Sequence, residues 1–414
     1  MSTISQGDLH DYYTNASGAA LGYNSARVKG LSVVVKGQFT YRMAGNDLSE
    51  PDNETGKSSR YELQLYDVEH PHNRNDLDRL EELYFDYLTN WGYFKLGKMD
   101  ITSPLVNPQD GRMKPYVVHG FWGRVKLIDN HVVLSMGAFN RFSPRGTTHW
   151  YDADHSIGIF GNGFATNGQR AHYHEKLTSK GLLLGGLNYH NTHLRVQLWD
   201  YYIDNISNTL YSQLNYHTKL VGSRQIRLGL QGLTQSQVGA GGNNDSIQFQ
   251  YHTENDQVAL LSSRIAFANK RSTFSINALK AFGSGRFLFP REWGREQFFV
   301  TVPRGRVEGI GDMSVIMLKS HFESGNTSID GLDFSLGYFN LPGHQEYSVN
   351  KYELLSHYQF TANLDFSFHH ILEGTTLRVL YINKFMSNYD EFRPELWYNK
   401  SHFQQLNVVL NILF

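Results

Sequence analysis

The sequence predicts an all-β protein, a transmembrane antiparallel β-barrel that forms one domain over residues 1–414. Three observations lead to this prediction: apolar and polar residues alternate along most of the chain, many alternating segments reach about ten residues, and short turns alternate with long polar loops. Successive side chains of a strand point to opposite faces, so the alternation indicates strands with one apolar face. A strand needs roughly 9–11 residues to cross a bilayer at its tilt.

Composition limits the class of protein before any motif is considered. The chain has 414 residues, a formal net charge of −1 and no cysteine, which excludes disulfide scaffolds, thiolate zinc sites and cysteine nucleophiles. The near-neutral charge argues against a nucleic-acid partner. Mean hydropathy is −0.44, and no run approaches the ~18 apolar residues of a transmembrane helix. A barrel accommodates this low value because only the lipid-facing half of each strand is apolar.

The alternating segments predict the strands in chain order. In the first clear segment, Leu31, Val33 and Val35 share one face with Phe39 and Tyr41. Further strands are predicted near 83–88, 93–98, 121–128, 132–140, 181–189, 194–203, 209–217, 224–233, 258–268, 273–282, 314–322, 331–339, 358–368, 375–385 and 405–414. Their length and number favour a membrane barrel over a sandwich of short strands.

The connections between these segments predict the orientation of the barrel. Turns such as those at 129–131, 191–192 and 221–223 are short, whereas long external loops are predicted at about 44–80, 100–119, 142–178, 284–312 and 387–400. Short turns at one rim and long loops at the other are typical of bacterial outer-membrane barrels. We therefore expect an integral protein of the outer membrane, in contact with its lipid and lipopolysaccharide. Phe414 ends an apolar face, and we interpret it as the signal read by the barrel-assembly machinery.

One passage is similar to a known family. Tyr93-Phe94-Lys95-Leu96-Gly97-Lys98-Met99-Asp100 is followed by Ser103-Pro104-Leu105-Val106, by Asp110-Gly111-Arg112-Met113-Lys114-Pro115 and by Gly120. This passage resembles a strand and loop of OprD-type outer-membrane porins, which are substrate-specific channels. The resemblance implies a monomer of about 18 strands, in which the loops at about 100–119 and 284–312 fold inward and narrow the pore.

The strand count carries an expectation about the beginning of the sequence. The pattern gives roughly seventeen full strands, whereas bacterial single-chain barrels have an even number. By the resemblance, the second strand would be a short one at about 18–25. We therefore expect residues 1–6 to be the tail of a first strand whose beginning is absent from this sequence, together with the signal peptide.

If the apolar rows face lipid, the alternate rows face the lumen and carry the function. Strand parity then gives a basic ladder on the pore wall, formed by Lys36, Lys95, Arg124, Lys126, Arg195, Arg227, Arg264 and Arg378. For the pore constriction we select Arg112, Lys114, Arg291, Arg295 and Arg304, with Asp110 and Glu292 as opposing acids. Guanidinium groups bind carboxylates through paired hydrogen bonds. The resemblance thus implies a porin for passive diffusion of small anionic or zwitterionic solutes, such as amino acids, peptides and carboxylates.

Two other functions remain open at this point. The first is an outer-membrane β-barrel enzyme or lipid-handling protein, and the second is a soluble β-rich binding protein. We do not expect an enzyme, because no Gly-x-Ser-x-Gly elbow or phosphate-binding loop occurs. We also expect no cofactor or metal, since His172 and His174 have no further ligand at a suitable spacing.

Overall fold

The computed structural model describes residues 1–70, 79–108, 113–128, 131–220, 222–324, 329–368 and 373–414. Within them, 19 strands form one antiparallel sheet. The strands are β1 Ser2–Ile4, β2 Tyr12–Asn24, β3 Leu31–Gly45, β4 Arg79–Leu88, β5 Gly92–Met99, β6 Val117–Leu127, β7 Val132–Ser143, β8 Tyr151–Asp152, β9 Leu182–His190, β10 Leu194–Ile203, β11 Ser207–Lys219, β12 Gln225–Gln237, β13 Val258–Ala268, β14 Ser272–Gly283, β15 Ser314–Phe322, β16 Ile329–Asn340, β17 His357–Ser367, β18 Thr375–Phe385 and β19 Phe403–Ile412.

The sheet closes on itself through its first and last strands. β1 pairs with β19, where Ser2 lies opposite Leu406, and also with β2, where Thr3 lies opposite Tyr12. β7 pairs directly with β9, and β8 pairs only with β7. Eighteen strands therefore form the barrel and β8 is an extra strand at its rim. The predicted antiparallel barrel of about 18 strands is confirmed.

The two faces of the wall differ as the alternation requires. In β10, Trp199 and Tyr201 point into the barrel and are 6% and 0% exposed, whereas Leu198, which directly precedes Trp199, is 49% exposed on the outer face. The same alternation in β19 exposes Leu406, Val408 and other apolar side chains outward. This outer row gives the apolar band that a bilayer requires.

Helix contributes little to this fold. The helical segments are two 3₁₀ turns, Leu63–Leu65 and Tyr389–Glu391, and one α-helical turn, Pro394–Trp397. None of the helices in the described part of the chain combines the length and the apolar character needed to cross a membrane.

The loops differ from the predicted ones in number and in bounds. In the described residues the five predicted loops lie at 46–70, at 100–108 with 113–116, at 144–181, at 284–313 and at 386–402, and two further long connections occupy 238–257 and 341–356. The first of these two was missed because its polar residues continue the polar rows of β12. The second strand was predicted at about 18–25, but β2 spans Tyr12–Asn24. Its small residues, including Gly18 and Gly22, obscure the alternation in the sequence.

Much of the interior near the long loops is packed rather than open. A buried hydrophobic cluster joins inward residues of the wall, such as Phe142 and Met317, to loop residues, such as Phe287, Trp293 and Ile310. These side chains are all essentially inaccessible to solvent. The loops therefore enter the barrel and leave only part of its cross-section open.

Candidate functional site

Segment 284–313 crosses the lumen, held by inward-facing glutamines of the wall. Gln235 of β12 donates to the carbonyl oxygen of Leu288 at 2.6 Å and accepts a hydrogen bond from its backbone N–H at 2.9 Å. On another part of the wall, Gln359 of β17 donates to the carbonyl oxygen of Pro303 at 2.6 Å. Backbone groups buried without partners are costly, so these amides stabilise the loop inside the barrel.

Aromatic packing anchors the same segment. Trp293 is 0% exposed, stacks on Phe142 with ring centroids 4.0 Å apart and donates from Nε1 to Ser156 Oγ at 2.7 Å. The next residue, Gly294, lies so close to segment 100–116 that a Cβ atom would be 2.6 Å from the carbonyl oxygen of Leu105. Both predicted constriction loops thus pack against each other within the barrel.

A basic cleft opens beside this loop. The central cleft is lined by Arg60, Tyr61, Gln64, Tyr116, Arg145, Arg291, Arg295, Arg304, Gly305, Arg306, Glu308, Phe339, Leu341, Tyr352, Leu354, His357, Lys384 and Lys400. Eight of these side chains are Arg or Lys, and Glu308 is the one carboxylate among them. Low-dielectric walls lined by one sign of charge concentrate counter-ions, so the cleft attracts anions.

Arg295, at the centre of the loop, is held by backbone carbonyl oxygens and lies close to other cations. Arg295 Nη2 donates to the carbonyl oxygen of Gly305 at 2.8 Å. Burial and the nearby charges of Arg306, Arg304 and Arg145 lower the pKa of Arg295 to about 9, although Glu296 opposes this shift. Such crowding of like charges is unfavourable without an anion, and a bound anion relieves it.

Arg60 differs from the other arginines of the cleft in lacking a polar partner. Its guanidinium carbon lies 5.8 Å from the ring centroid of Tyr61. Among the residues that the structure describes, Arg60 has neither a hydrogen bond nor an ion pair. Arg304, by comparison, donates from Nε to Gln405 Oε1 at 2.6 Å. The donors of Arg60 are therefore not engaged by an acceptor in the described part of the chain and can bind a solute.

The carboxylate of the cleft is neutralised by its surroundings. Glu308 accepts a hydrogen bond from Tyr352 Oη at 2.9 Å, and its oxygens lie 3.9 Å from both Arg291 Nε and Lys351 Nζ. Lys351 is buried between tyrosine rings, and burial lowers its pKa to about 8. Since Glu308 already has two cationic neighbours, it adds little negative potential for a solute cation.

A wider space, here called the vestibule, adjoins the cleft on the loop side. It encloses about 1330 Å³ and shares Arg60, Gln64, Arg291, Tyr352 and Lys400 with the central cleft. It also adds Lys57 and Arg170 to the basic lining. Burial and the charges of Lys57 and Arg60 lower the pKa of Lys400 to about 7. A solute that enters from the loop side meets the same sign of charge in both spaces.

Half of the predicted pore-wall ladder is bound to other wall residues. Lys36 lies 2.8 Å from Glu81 and 3.3 Å from Glu82, and Lys95 lies 3.3 Å from Asp100. Arg378 contacts Asp365 at 2.5 Å, and Arg264 donates to Asn215 Oδ1 at 2.9 Å. The acids reduce the positive potential of Lys36, Lys95 and Arg378, so these positions contribute less to anion binding than their side chains alone suggest.

The other ladder residues share the inward face near the short turns. Arg124 and Lys126 have the parity of the buried Trp122, Arg195 that of the buried Trp199, and Arg227 that of the buried Gln231. They form the end of the lumen opposite the vestibule. None of these four lines the central cleft.

The residues selected for the constriction fall into three groups. Arg291, Arg295 and Arg304 line the central cleft. Asp110 and Arg112 lie outside the described residues. Lys114 and Glu292 are buried, 1% and 5% exposed, and neither is among the residues that line the central cleft.

Glu292 connects two loops instead of facing a solute. Its Oε1 accepts hydrogen bonds from the backbone N–H groups of Gly158 and Phe160, at 3.0 and 3.1 Å. Burial raises the pKa of Glu292, against the effect of these donors. A sequence cannot show this role, because the two loops are separated by more than a hundred residues and meet only in the fold.

Sequence reasoning missed several cleft residues. Arg60, Arg145, Arg306 and Lys400 come from loops without a readable pattern. Lys384 could have been predicted from the sequence, because it has the same parity in β18 as Arg378. In the described part of the chain, no three His, Cys, Asp or Glu side chains are arranged to hold a metal ion.

The central part of the chain is similar to a known protein family. The family profile described as outer membrane porin, OprD family, matches residues 91–292. This segment includes the passage at 93–120 and the start of the loop that crosses the lumen. Porins are channels of the outer membrane, and this is the family to which residues 91–292 are similar. A search of curated sequences gives no match.

Solved structures with the same fold cover nearly the whole chain. OpdK of Pseudomonas aeruginosa, solved with vanillate, has 15% identity and a TM-score of 0.68, covering 99% of this chain and 95% of that one. OccAB4 of Acinetobacter baumannii has 13% identity and a TM-score of 0.73, covering 99% and 94%. OccK9 (OpdG) of Pseudomonas aeruginosa has 14% identity and a TM-score of 0.70, with the same coverage. At such identities the likeness concerns the fold.

Proposed function

We propose that the chain, an outer-membrane porin of the OprD type, admits small anionic solutes, and zwitterionic amino acids or peptides less readily, by passive diffusion through the central cleft. One observation carries the proposal: among the residues that the structure describes, eight cationic side chains line the cleft and its one carboxylate is already neutralised. An ammonium group would find no free acid among the described lining residues, whereas a carboxylate would find Arg60.

We propose further that segments 100–116 and 284–313 form the constriction and that the basic side chains form successive stations. From the vestibule and cleft the path continues to Lys319 of β15, whose Nζ donates to the carbonyl oxygen of Thr301 at 2.9 Å. The charges of Arg295 and Arg264 both act on Lys319. The charge of Arg227 acts in turn on Arg264. Conduction requires binding that is favourable at each station and weak enough for release.

Neutralising Arg60 tests the anion preference directly. A charge about 8 Å from a permeating ion in a watery pore contributes about 0.5 kcal/mol. Because this charge acts with opposite sign on anions and cations, we expect Arg60→Gln to lower the anion-to-cation permeability ratio about sixfold, and Arg60→Glu about 30-fold. The ratio comes from reversal potentials of the purified protein in planar bilayers under a salt gradient.

A matched control and a solute panel complete this experiment. Arg271→Gln removes a charge from an exposed turn between β13 and β14 and should leave the ratio unchanged. Liposome swelling with amino acids, dipeptides, sugars and carboxylic acids, vanillate included, should rank carboxylic acids first. A cation-selective wild type, or equal effects of the Arg60 and Arg271 substitutions, would contradict the proposal.

The pH dependence of the anion selectivity should follow the protonation of Lys400. With its pKa lowered to about 7, Lys400 is protonated at pH 6 and neutral at pH 8.5. Anion selectivity should therefore fall about twofold between these values. Lys400→Arg should remove the part of this fall that is centred near pH 7, because arginine stays protonated throughout this range. A smaller fall near pH 8 should remain, since the pKa of the buried Lys351 is about 8. A wild-type selectivity that is flat from pH 6 to 8.5 would show that Lys400 does not influence the solute path.

A further inference from the structure

Three basic side chains form a row on the lipid-facing side of the barrel, near the rim that carries the long loops. In the strand registers, Lys98 of β5 lies opposite His119 of β6, and His119 lies opposite Arg141 of β7. Lys98 also lies opposite Leu83 of β4, which is 42% exposed, and shares the parity of Leu96, which is 58% exposed. The row thus lies on the outer face.

An apolar groove in the outer wall begins at this row. The outer groove, of about 910 Å³, has Leu96, Phe121 and Leu183 among its apolar lining residues, with Ala138 and glycines beside them. Its polar lining includes His119, Asn140 and Lys180. Small residues between large ones leave a depression in the apolar band, and its polar end lies at the headgroup level of the extracellular leaflet.

The polar end carries an excess of positive charge. Arg141 is paired with Asp152 at 2.8 Å, and both side chains remain more than half exposed, at 53% and 56%. Lys98 Nζ lies 4.8 Å from the centroid of the Trp150 ring, and the charge of Arg141 acts on it. Lys180 and Asp204 are the other charged residues in the lining of the outer groove. The three cations Lys98, Arg141 and Lys180 exceed the two acids Asp152 and Asp204 by one.

We propose that this face binds a phosphorylated glycolipid of the extracellular leaflet, with phosphate on the Lys98–His119–Arg141 row and an acyl chain in the outer groove. Neighbouring strands are about 4.8 Å apart, so the row spans roughly 10 Å and reaches more than one phosphate oxygen. Phosphate favours such convergent charged donors. Cations at the edge of a membrane attract anionic lipids, and the groove supplies apolar contact for the chain.

Native mass spectrometry of the detergent-solubilised protein tests this proposal with two synthetic probes, a bis-phosphorylated lipid A and its phosphate-free analogue. We expect the wild type to bind the phosphorylated probe at least tenfold more tightly than the analogue. The triple variant Lys98→Gln, His119→Gln and Arg141→Gln should lose this difference. Ala138→Trp, which fills the groove and keeps every charge, should weaken the binding of both probes.

Lys280→Gln is the matched control. Lys280 points outward near the same rim, on β14, and pairs with Asp312 at 2.8 Å far from the row, so its loss should change neither affinity. Heat-dependent gel migration verifies that each variant is folded, and Lys98→Gln alone replaces the triple variant if that one does not fold. Equal binding of the two probes, an unchanged triple variant, or a wild-type dimer that covers the groove and dissociates in Ala138→Trp would overturn the proposal.

Discussion

Trp293→Ala should raise the single-channel conductance at least twofold and broaden it into several levels. The indole of Trp293 is fully buried, stacks on Phe142 and donates to Ser156. Removal of a buried tryptophan side chain costs about 3–5 kcal/mol. Most of this loss falls on segment 284–313, because the barrel wall keeps its hydrogen bonds. A loop that leaves its position opens the lumen, and single-channel recordings in planar bilayers measure the change.

Trp91→Ala is the appropriate comparison. Trp91 lies in the short turn between β4 and β5 and is 53% exposed, so its removal leaves the interior unchanged. Its conductance should equal that of the wild type. A Trp293→Ala channel with wild-type conductance and a single level would mean that segment 284–313 does not limit the pore.

Arg286→Met should release the external loops from one another and lower the stability of the folded barrel. Arg286 is 1% exposed, its Nε lies 3.2 Å from Asp256 Oδ1, and its Nη1 donates to the carbonyl oxygen of Phe164 at 2.9 Å. One guanidinium thus joins segments 238–257, 284–313 and 144–181. Loss of one member of a buried pair typically costs 3–5 kcal/mol, because the other charge stays buried without compensation.

Two measurements report the effect of Arg286→Met. Trypsin cleavage in reconstituted vesicles measures the release of the loops, and the temperature at which the folded band disappears on gels measures the stability of the barrel. The double variant Arg286→Met with Asp256→Asn should recover part of the loss, since it leaves no charge behind. Arg378→Met provides the control: its pair with Asp365 is exposed, and such pairs contribute about 1 kcal/mol or less. Equal results for Arg286→Met and Arg378→Met would disprove a special role of the buried pair.

The wall could be predicted from the sequence much better than the site. A strand with lipid on one side and water on the other must alternate, so parity alone places Arg195 and Arg227 on the inner face. Parity says nothing about partners, and Lys36 and Lys95 proved to be paired with acids. Loop residues carry no such periodicity. Lys114 was therefore predicted at the constriction and is buried, and Arg60 was overlooked although no acceptor among the described residues binds its donors.

The inner wall holds the loop that crosses the lumen mainly by neutral amides and main-chain atoms. Gln235 binds both backbone groups of Leu288, and Gln359 binds the carbonyl oxygen of Pro303. Such attachments do not depend on which side chains the loop carries at these points. Substitutions of the cleft-lining side chains Arg291 and Arg304 can therefore change the preferred solute while these backbone attachments keep the loop in place. One barrel fold can in this way acquire different selectivities.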